Sequence, residues 1–233
     1  MELTFTGKFY QDKAILTPKN VDVDETNYKV LLSTPGEMIS KRSADSIAPG
    51  DDSATHYPEE FLNTINMSGM PAHLLQMKIG CPMMLLRNLS PRDGMCNGTR
   101  FVLTAARPHV LEGVVISGDF LGKKIMVPRI PLQPSESRFP FTLRRLQFPV
   151  KVAYAMTISK SQGQSLGRVG LYLPRPVFGH GQLYVALSRS GNPPAGRLGV
   201  RIVAVDTGDG VQGRHHTLAG VYTRNVVYRE VLQ

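Results

Sequence analysis

Two stretches hold the residues best able to do chemistry. TISKSQGQS, residues 157–165, follows VKVAYAM (150–156), an apolar run of strand length. A strand end that opens into a helix start presents free backbone N–H groups, which suit an anion. Lys160 adds a cation, Thr157 and Ser161 add hydroxyl donors, and Gly163 lets a backbone or ligand approach closely. The same residues also make an ordinary capped helix start, and both readings stand on the residues alone. The second stretch is HGQLYVALSR, residues 180–189. Leu183 and Leu187 fall four apart, and Gln182, Ala186 and Arg189 share one helical face. Arg189 closes this helix at its C-terminus, where the dipole favours a cation by ~0.3–1 kcal/mol. The alternative is a guanidinium held on a rigid element and aimed at phosphate, for which a planar, always-charged fork is better suited than lysine.

Other chemistries find little support. Cys81 and Cys96 form no CxxC, and the six histidines offer no zinc spacing beside them. The two cysteines read as free thiols and His215-His216 as a solvated loop pair, so no metal site is expected. There is no GxxxxGK[ST] phosphate cradle; Gly7-Lys8 and Gly122-Lys123 lie in other surroundings, and Asp24-Glu25 follows no suitable strand. Apolar runs are short of the ~20 residues a membrane span needs. The N-terminus, MELTFTGKFYQDKAIL, has neither the basic start nor the apolar stretch of a signal peptide, so an intracellular protein is expected.

Charge is distributed unevenly. The 233 residues carry a net +9, and residues 121–175 alone hold ten basic side chains against one acidic. A basic concentration of this kind favours a polyanion through counterion release; a solvated basic face is the equal alternative.

These residues need elements to position them. AILTPKN (14–20) reads as a short strand, and VDVDETNYKVLLSTPG (21–36) as a helix capped by Asp22 or Asp24 that stops before Pro35-Gly36. Residues 41–60 are polar and turn-rich, which predicts a surface connection. FLNTINMSGMPAHLL (61–75) predicts a helix broken at Gly69–Pro71. From 77 to 132 short apolar segments are bounded by Gly, Pro, Asn or Asp, and Asn97-Gly98 is a good hairpin-turn dipeptide. That spacing predicts a small antiparallel barrel or meander. After Pro149 the strand–helix alternation returns: VKVAYAM, a helix starting in ISKSQGQSL (158–166), the strand RVGLYLP (168–174), the helix at 180–189 and the strand LGVRIVAVD (198–206). A Gly-rich loop to Gly220 and a terminal strand YTRNVVYREVLQ (222–233) follow.

AMTISKSQGQSL (155–166) followed closely by HGQLYVALSR resembles motifs V and VI of the PIF-type DNA helicases. That superfamily 1 group also includes the helicases of Helitron transposons. AILTPKN and SADSI (43–47) resemble the start of that family's second RecA-like domain. FLNTINMSGMPAHLLQMKIGCPMMLLRNL (61–89), CNGTR (96–100) and VPRIPL (127–132) resemble its inserted 2B domain, and FPFTLRRLQFPV (139–150) the return to the RecA-like fold. The resemblance runs from about Tyr10 to the end. It implies an α/β fold: a RecA-like, P-loop-NTPase-type second motor domain (1–60 and 148–233) interrupted by a small antiparallel SH3-like barrel (61–147).

The resemblance also implies roles. Arg189 would be the arginine finger on the transferring γ-phosphoryl group, with Gln162, Gly163 and Gln182 bordering ATP. Thr157, Lys160 and Ser161 would face single-stranded DNA, joined by Arg138, Arg144 and Arg145 at the exit of the β insertion. ATP and Mg²⁺ would serve the complete 5′-to-3′ motor, in a nuclear or mitochondrial setting. A first RecA-like domain, acting in trans or from a longer chain, would supply the phosphate cradle; without it the chain is expected to be inactive. Departures are Leu146 where a basic residue is expected and SGNPPAGRLG after Arg189. The competing expectation is a non-enzymatic single-stranded nucleic-acid-binding module or a transposon-derived relic.

Overall fold

The computed structural model describes residues 5–49, 57–134, 139–190 and 199–204. The Gly-rich loop and terminal strand expected after Asp206, and Arg138, lie outside the described residues. The chain forms two compact units, one of residues 1–8 and 33–153, the other of 9–32 and 154–233.

The second unit is built on a parallel sheet. Strands β1 (Lys13–Thr17), β12 (Ala155–Thr157), β13 (Arg168–Leu173) and β14 (Val200–Ala204) run in the order β12-β1-β13-β14, every pairing parallel. β12 is buried throughout, while β13 alternates so that Val169, Leu171 and Leu173 are buried. Helix α2 (Asn20–Ser33) supports it through Val23, Asn27 and Leu31, four residues apart along one face. It starts at Asn20; Asp22, expected as a cap, sits in the first turn with its carboxylate on Arg175 at 3.0 Å.

Asn27 settles the sheet's end at β12. In a parallel pair the N–H and C=O of one residue point to the same side, so Ala155 turns both away from β1. Asn27 meets them: its Nδ2 donates to Ala155 O at 3.1 Å and its Oδ1 accepts from Ala155 N at 2.7 Å. A helix side chain thus completes the hydrogen bonding of an edge strand.

The first unit is antiparallel. A five-stranded sheet has the order β11-β5-β6-β7-β8, from Val150–Val152, Pro82–Leu85, Arg100–Ala106, Val110–Val115 and Lys124–Pro128. Met83, Met84, Leu85, Phe101, Leu103, Leu111 and Val127 are fully buried on it. Gly113 is required by packing, because a Cβ there would lie 2.3 Å from the Phe101 ring. A three-stranded sheet, β3-β10-β9, joins Ala44–Ile47, Leu143–Gln147 and Ile130–Leu132, and β2 (Ile39–Arg42) pairs with β4 (Leu74–Met77).

Several sequence expectations are corrected. Of the 41–60 stretch expected to be a surface connection, residues 41–42 and 44–47 lie in two strands, β2 paired with β4 and β3 with β10; Ser43 and Asp45 are buried there by side-chain bonds that composition does not reveal. The helix α3 (Glu59–Thr64) ends at Ile65, before Gly69, where Thr64 Oγ1 bonds back to Phe61 O. Asn97-Gly98 does form a turn, with Thr99 N on Cys96 O at 3.0 Å and Gly98 at φ 90°, but within a longer β5–β6 connection that holds a 3₁₀ turn at Pro91–Asp93. VKVAYAM is two strands, not one: β11 pairs antiparallel with β5 and β12 parallel with β1, so the chain passes between the units at Ala153–Tyr154.

Candidate nucleotide and nucleic-acid interface

β1 and β12 end side by side in Thr17 and Thr157, which are in register. In parallel sheets the C-terminal strand ends are where loops gather to hold ligands. Beyond Thr157 the chain makes a single 3₁₀ turn, Ile158–Ser161, in place of the expected longer helix. Thr157 Oγ1 accepts from Lys160 N at 3.4 Å and Ser161 Oγ donates to Ile158 O at 2.6 Å. Both hydroxyls are therefore engaged in shaping the turn, and Ser161 is fully buried. Lys160, Gln162 and Gly163 are exposed, with Gly163 at φ 79° allowing the chain to reverse.

Helix α4 (Gln182–Leu187) packs against this turn. It is only six residues long and starts from Gly181 in the left-handed region. Gln182 is buried, and its Oε1 accepts from Phe178 N and Gly179 N at 3.1 and 3.3 Å. Its carbonyl oxygen thus builds the loop ahead of the helix. Arg189 lies just past the helix end, half-buried, with its backbone C=O accepting from Leu166 N at 2.9 Å. Its Nε donates to Val185 O at 3.0 Å, Nη1 to Gln164 O at 3.2 Å and Nη2 to Ser188 Oγ at 2.9 Å. The two stretches singled out in sequence are thereby joined by direct bonds.

The basic expectations divide. Arg144 is exposed on β10, opposite Ser46 of β3. Arg145 is corrected: its side chain is 0% exposed and cannot line a strand-facing surface. It grips Asp45 with Nε at 2.9 and 3.1 Å and Nη2 at 2.7 Å, and donates to Pro71 O and Leu62 O. Alternation along β10 sends Arg144 and Leu146 outward and Arg145 inward. The cations of 121–175 are also split, Lys123, Lys124, Arg129, Arg144, Arg145 and Lys151 in one unit and Lys160, Arg168 and Arg175 in the other.

Sequence reasoning passed over part of the strand-end region. Thr17 Oγ1 and Asp22 Oδ2 are buried with no hydrogen-bond partner among the described residues. Lys19 lies 5.6 Å from the Phe178 ring centre. The available signal was Thr-Pro-Lys-Asn directly after an apolar strand. In the other unit, burial lowers the pKa of the Arg100 guanidinium to about 10 and raises that of the Cys81 thiol to about 11.

Residues 60–105, within the antiparallel unit, match the family described as DNA helicase Pif1, 2B domain. The ATP-dependent DNA helicase PIF1 of Homo sapiens is 34% identical over 177 residues, covering 72% of this chain. The chain belongs to the Pif1 helicase family. The Xenopus laevis relative is 35% identical over 181 residues. The chain spans about a quarter of these relatives, 24% of the human protein and 25% of the frog protein, so it corresponds to the part of a Pif1 helicase that contains the 2B domain. Two solved structures share the fold. Bacteroides Pif1 bound to ssDNA aligns with a TM-score of 0.59 at 22% identity, over 84% of this chain and 44% of that one. Bacteroides Pif1 in complex with ADP-AlF3 and ssDNA aligns with a TM-score of 0.59 at 22% identity, over 87% and 43%. The parallel sheet with an antiparallel insertion is thus a Pif1-type arrangement.

Proposed function

We propose that this chain is the finger-bearing portion of an ATP-dependent 5′-to-3′ DNA helicase: a RecA-like second motor domain with an SH3-like 2B insertion. The observation that carries the proposal is the seating of Arg189 at the end of α4, bonded to the turn that follows Thr157. A guanidinium has five N–H donors, and three are taken, leaving one on each terminal nitrogen. That pair fits the oxygens of a γ-phosphoryl group, where a fixed positive charge stabilises the charge that develops in transfer. Exposed Gln162 and Gly163 border the same turn and are the residues suited to the nucleotide; Gln182 supports them from the core. Lys160 in one unit and Arg144 in the other are exposed cations, each suited to single-strand phosphates.

The donor set fits ATP only in part. Arg189 suits the terminal phosphate, but among the described residues no group of three His, Cys, Asp or Glu could hold a metal ion. The stretch also contains no GxxxxGK[ST], so the phosphate cradle belongs to another RecA-like domain.

The test is to add a phosphate-binding RecA-like domain of a Pif1 helicase to this chain and follow ATP hydrolysis with and without oligo-dT. DNA-stimulated turnover that disappears in Arg189→Ala is expected, with none from the chain alone. Steady turnover by the chain alone would overturn the proposal, because the chain would then carry a phosphate site of its own. Binding to single strands that weakens steeply with salt, but no turnover in the mixture, would favour a binding module instead.

A further inference from the structure

We infer that Ser188 is a positioning residue for Arg189, an inference that rests on the proposed phosphate-facing role of that arginine. Ser188 Oγ donates to Val185 O at 3.1 Å and accepts from Arg189 Nη2 at 2.9 Å. Val185 O accepts in turn from Arg189 Nε at 3.0 Å. The hydroxyl, the carbonyl and the Nε–Cζ–Nη2 edge of the guanidinium therefore close into one hydrogen-bonded ring. The single Ser188 proton is committed to Val185 O, so a lone pair of the oxygen faces Nη2.

The ring fixes one edge of the fork, and Gln164 O holds Nη1 from the neighbouring turn at 3.2 Å. Three acceptors on three different residues define the plane of the guanidinium. A freely turning arginine would have to lose rotamer and Nη freedom when a phosphoryl group arrived; a held one does not. Ser188 itself is exposed and caps α4. The helix keeps its backbone bonds Val185 N to Gly181 O and Ser188 N to Tyr184 O without the hydroxyl. The hydroxyl thus acts on Arg189, and the helix does not depend on it.

The test uses the ¹⁵N-labelled chain and its arginine side-chain ¹H–¹⁵N signals, with Arg189→Lys assigning the residue by loss. Restricted rotation should resolve the terminal nitrogens of Arg189 into separate signals. Ser188→Ala should merge them, Ser188→Thr should keep them apart, and the backbone amide positions of α4 should stay unchanged in both variants. Averaged signals in the unsubstituted chain, or separate signals that survive Ser188→Ala, would overturn the inference. Rescue by threonine excludes a merely structural effect. The readout involves no ATP: an intact ring together with an ATPase indifferent to Arg189 would sink the finger, and with it a catalytic use for the ring, but not the ring itself.

Discussion

Replacing Arg145 by Met is expected to destabilise the antiparallel unit without acting directly on nucleic-acid affinity. Both side chains of the Arg145–Asp45 pair are 0% exposed. Removing the guanidinium strips Asp45 of three close N–H contacts and leaves Pro71 O and Leu62 O without that donor. What remains on Asp45 is Ser43 Oγ at 2.7 Å and His73 Nδ1 at 3.8 Å, too little to hold a buried carboxylate. Breaking such a pair from one side costs about 3–5 kcal/mol, whereas replacing both partners by apolar groups is close to neutral. A domain's whole stability is about 5–15 kcal/mol, so the single substitution should be visible as a large shift in urea midpoint. The assay is urea unfolding followed by far-ultraviolet circular dichroism, with hydrogen exchange at β3 and β10 amides as a local readout. Asp45→Leu with Arg145→Met should recover most of the loss. A cost below about 1 kcal/mol for Arg145→Met, or no recovery in the double variant, would refute the assignment of this pair as a buried support.

Asn27→Leu should cost about 2–4 kcal/mol by leaving the N–H and C=O of Ala155 unpaired, and Ala155 amide exchange should accelerate; unchanged protection would refute it. Arg144→Ala and Lys160→Ala should each lower the slope of log affinity for oligo-dT against log salt by about 0.7, while a sequence-dependent loss would argue for base contact instead. With the Cys81 thiol raised to about 11, its thiolate is about one part in a thousand at pH 8, so a disulfide reagent should label it slowly and about tenfold faster per pH unit. Rapid labelling of Cys81 at pH 7 in the folded chain would contradict its burial.

The sequence by itself determined the ordered pair of chemical stretches, 157–165 and 180–189, and the strand–helix alternation that carries them. These are local signals: an apolar run, a polar turn and a helical spacing are legible because each depends on neighbours in the chain. The same holds for the turns that mark the antiparallel insertion. Tertiary structure alone decided where the charges went. Arg144 and Arg145 are adjacent and alike in sequence, yet one faces water and the other is sealed on Asp45, because strand alternation gives them opposite faces and the partner lies 100 positions away. Asn27 closing the edge at Ala155 is of the same kind, a contact across 128 positions. The split of VKVAYAM between two sheets also depended on partners far along the chain. So did the bond from Arg189 Nη1 to Gln164 O, which needed α4 brought onto the turn holding Gln164. Residue type shows what a side chain can bond; which partner reaches it is set by long-range packing.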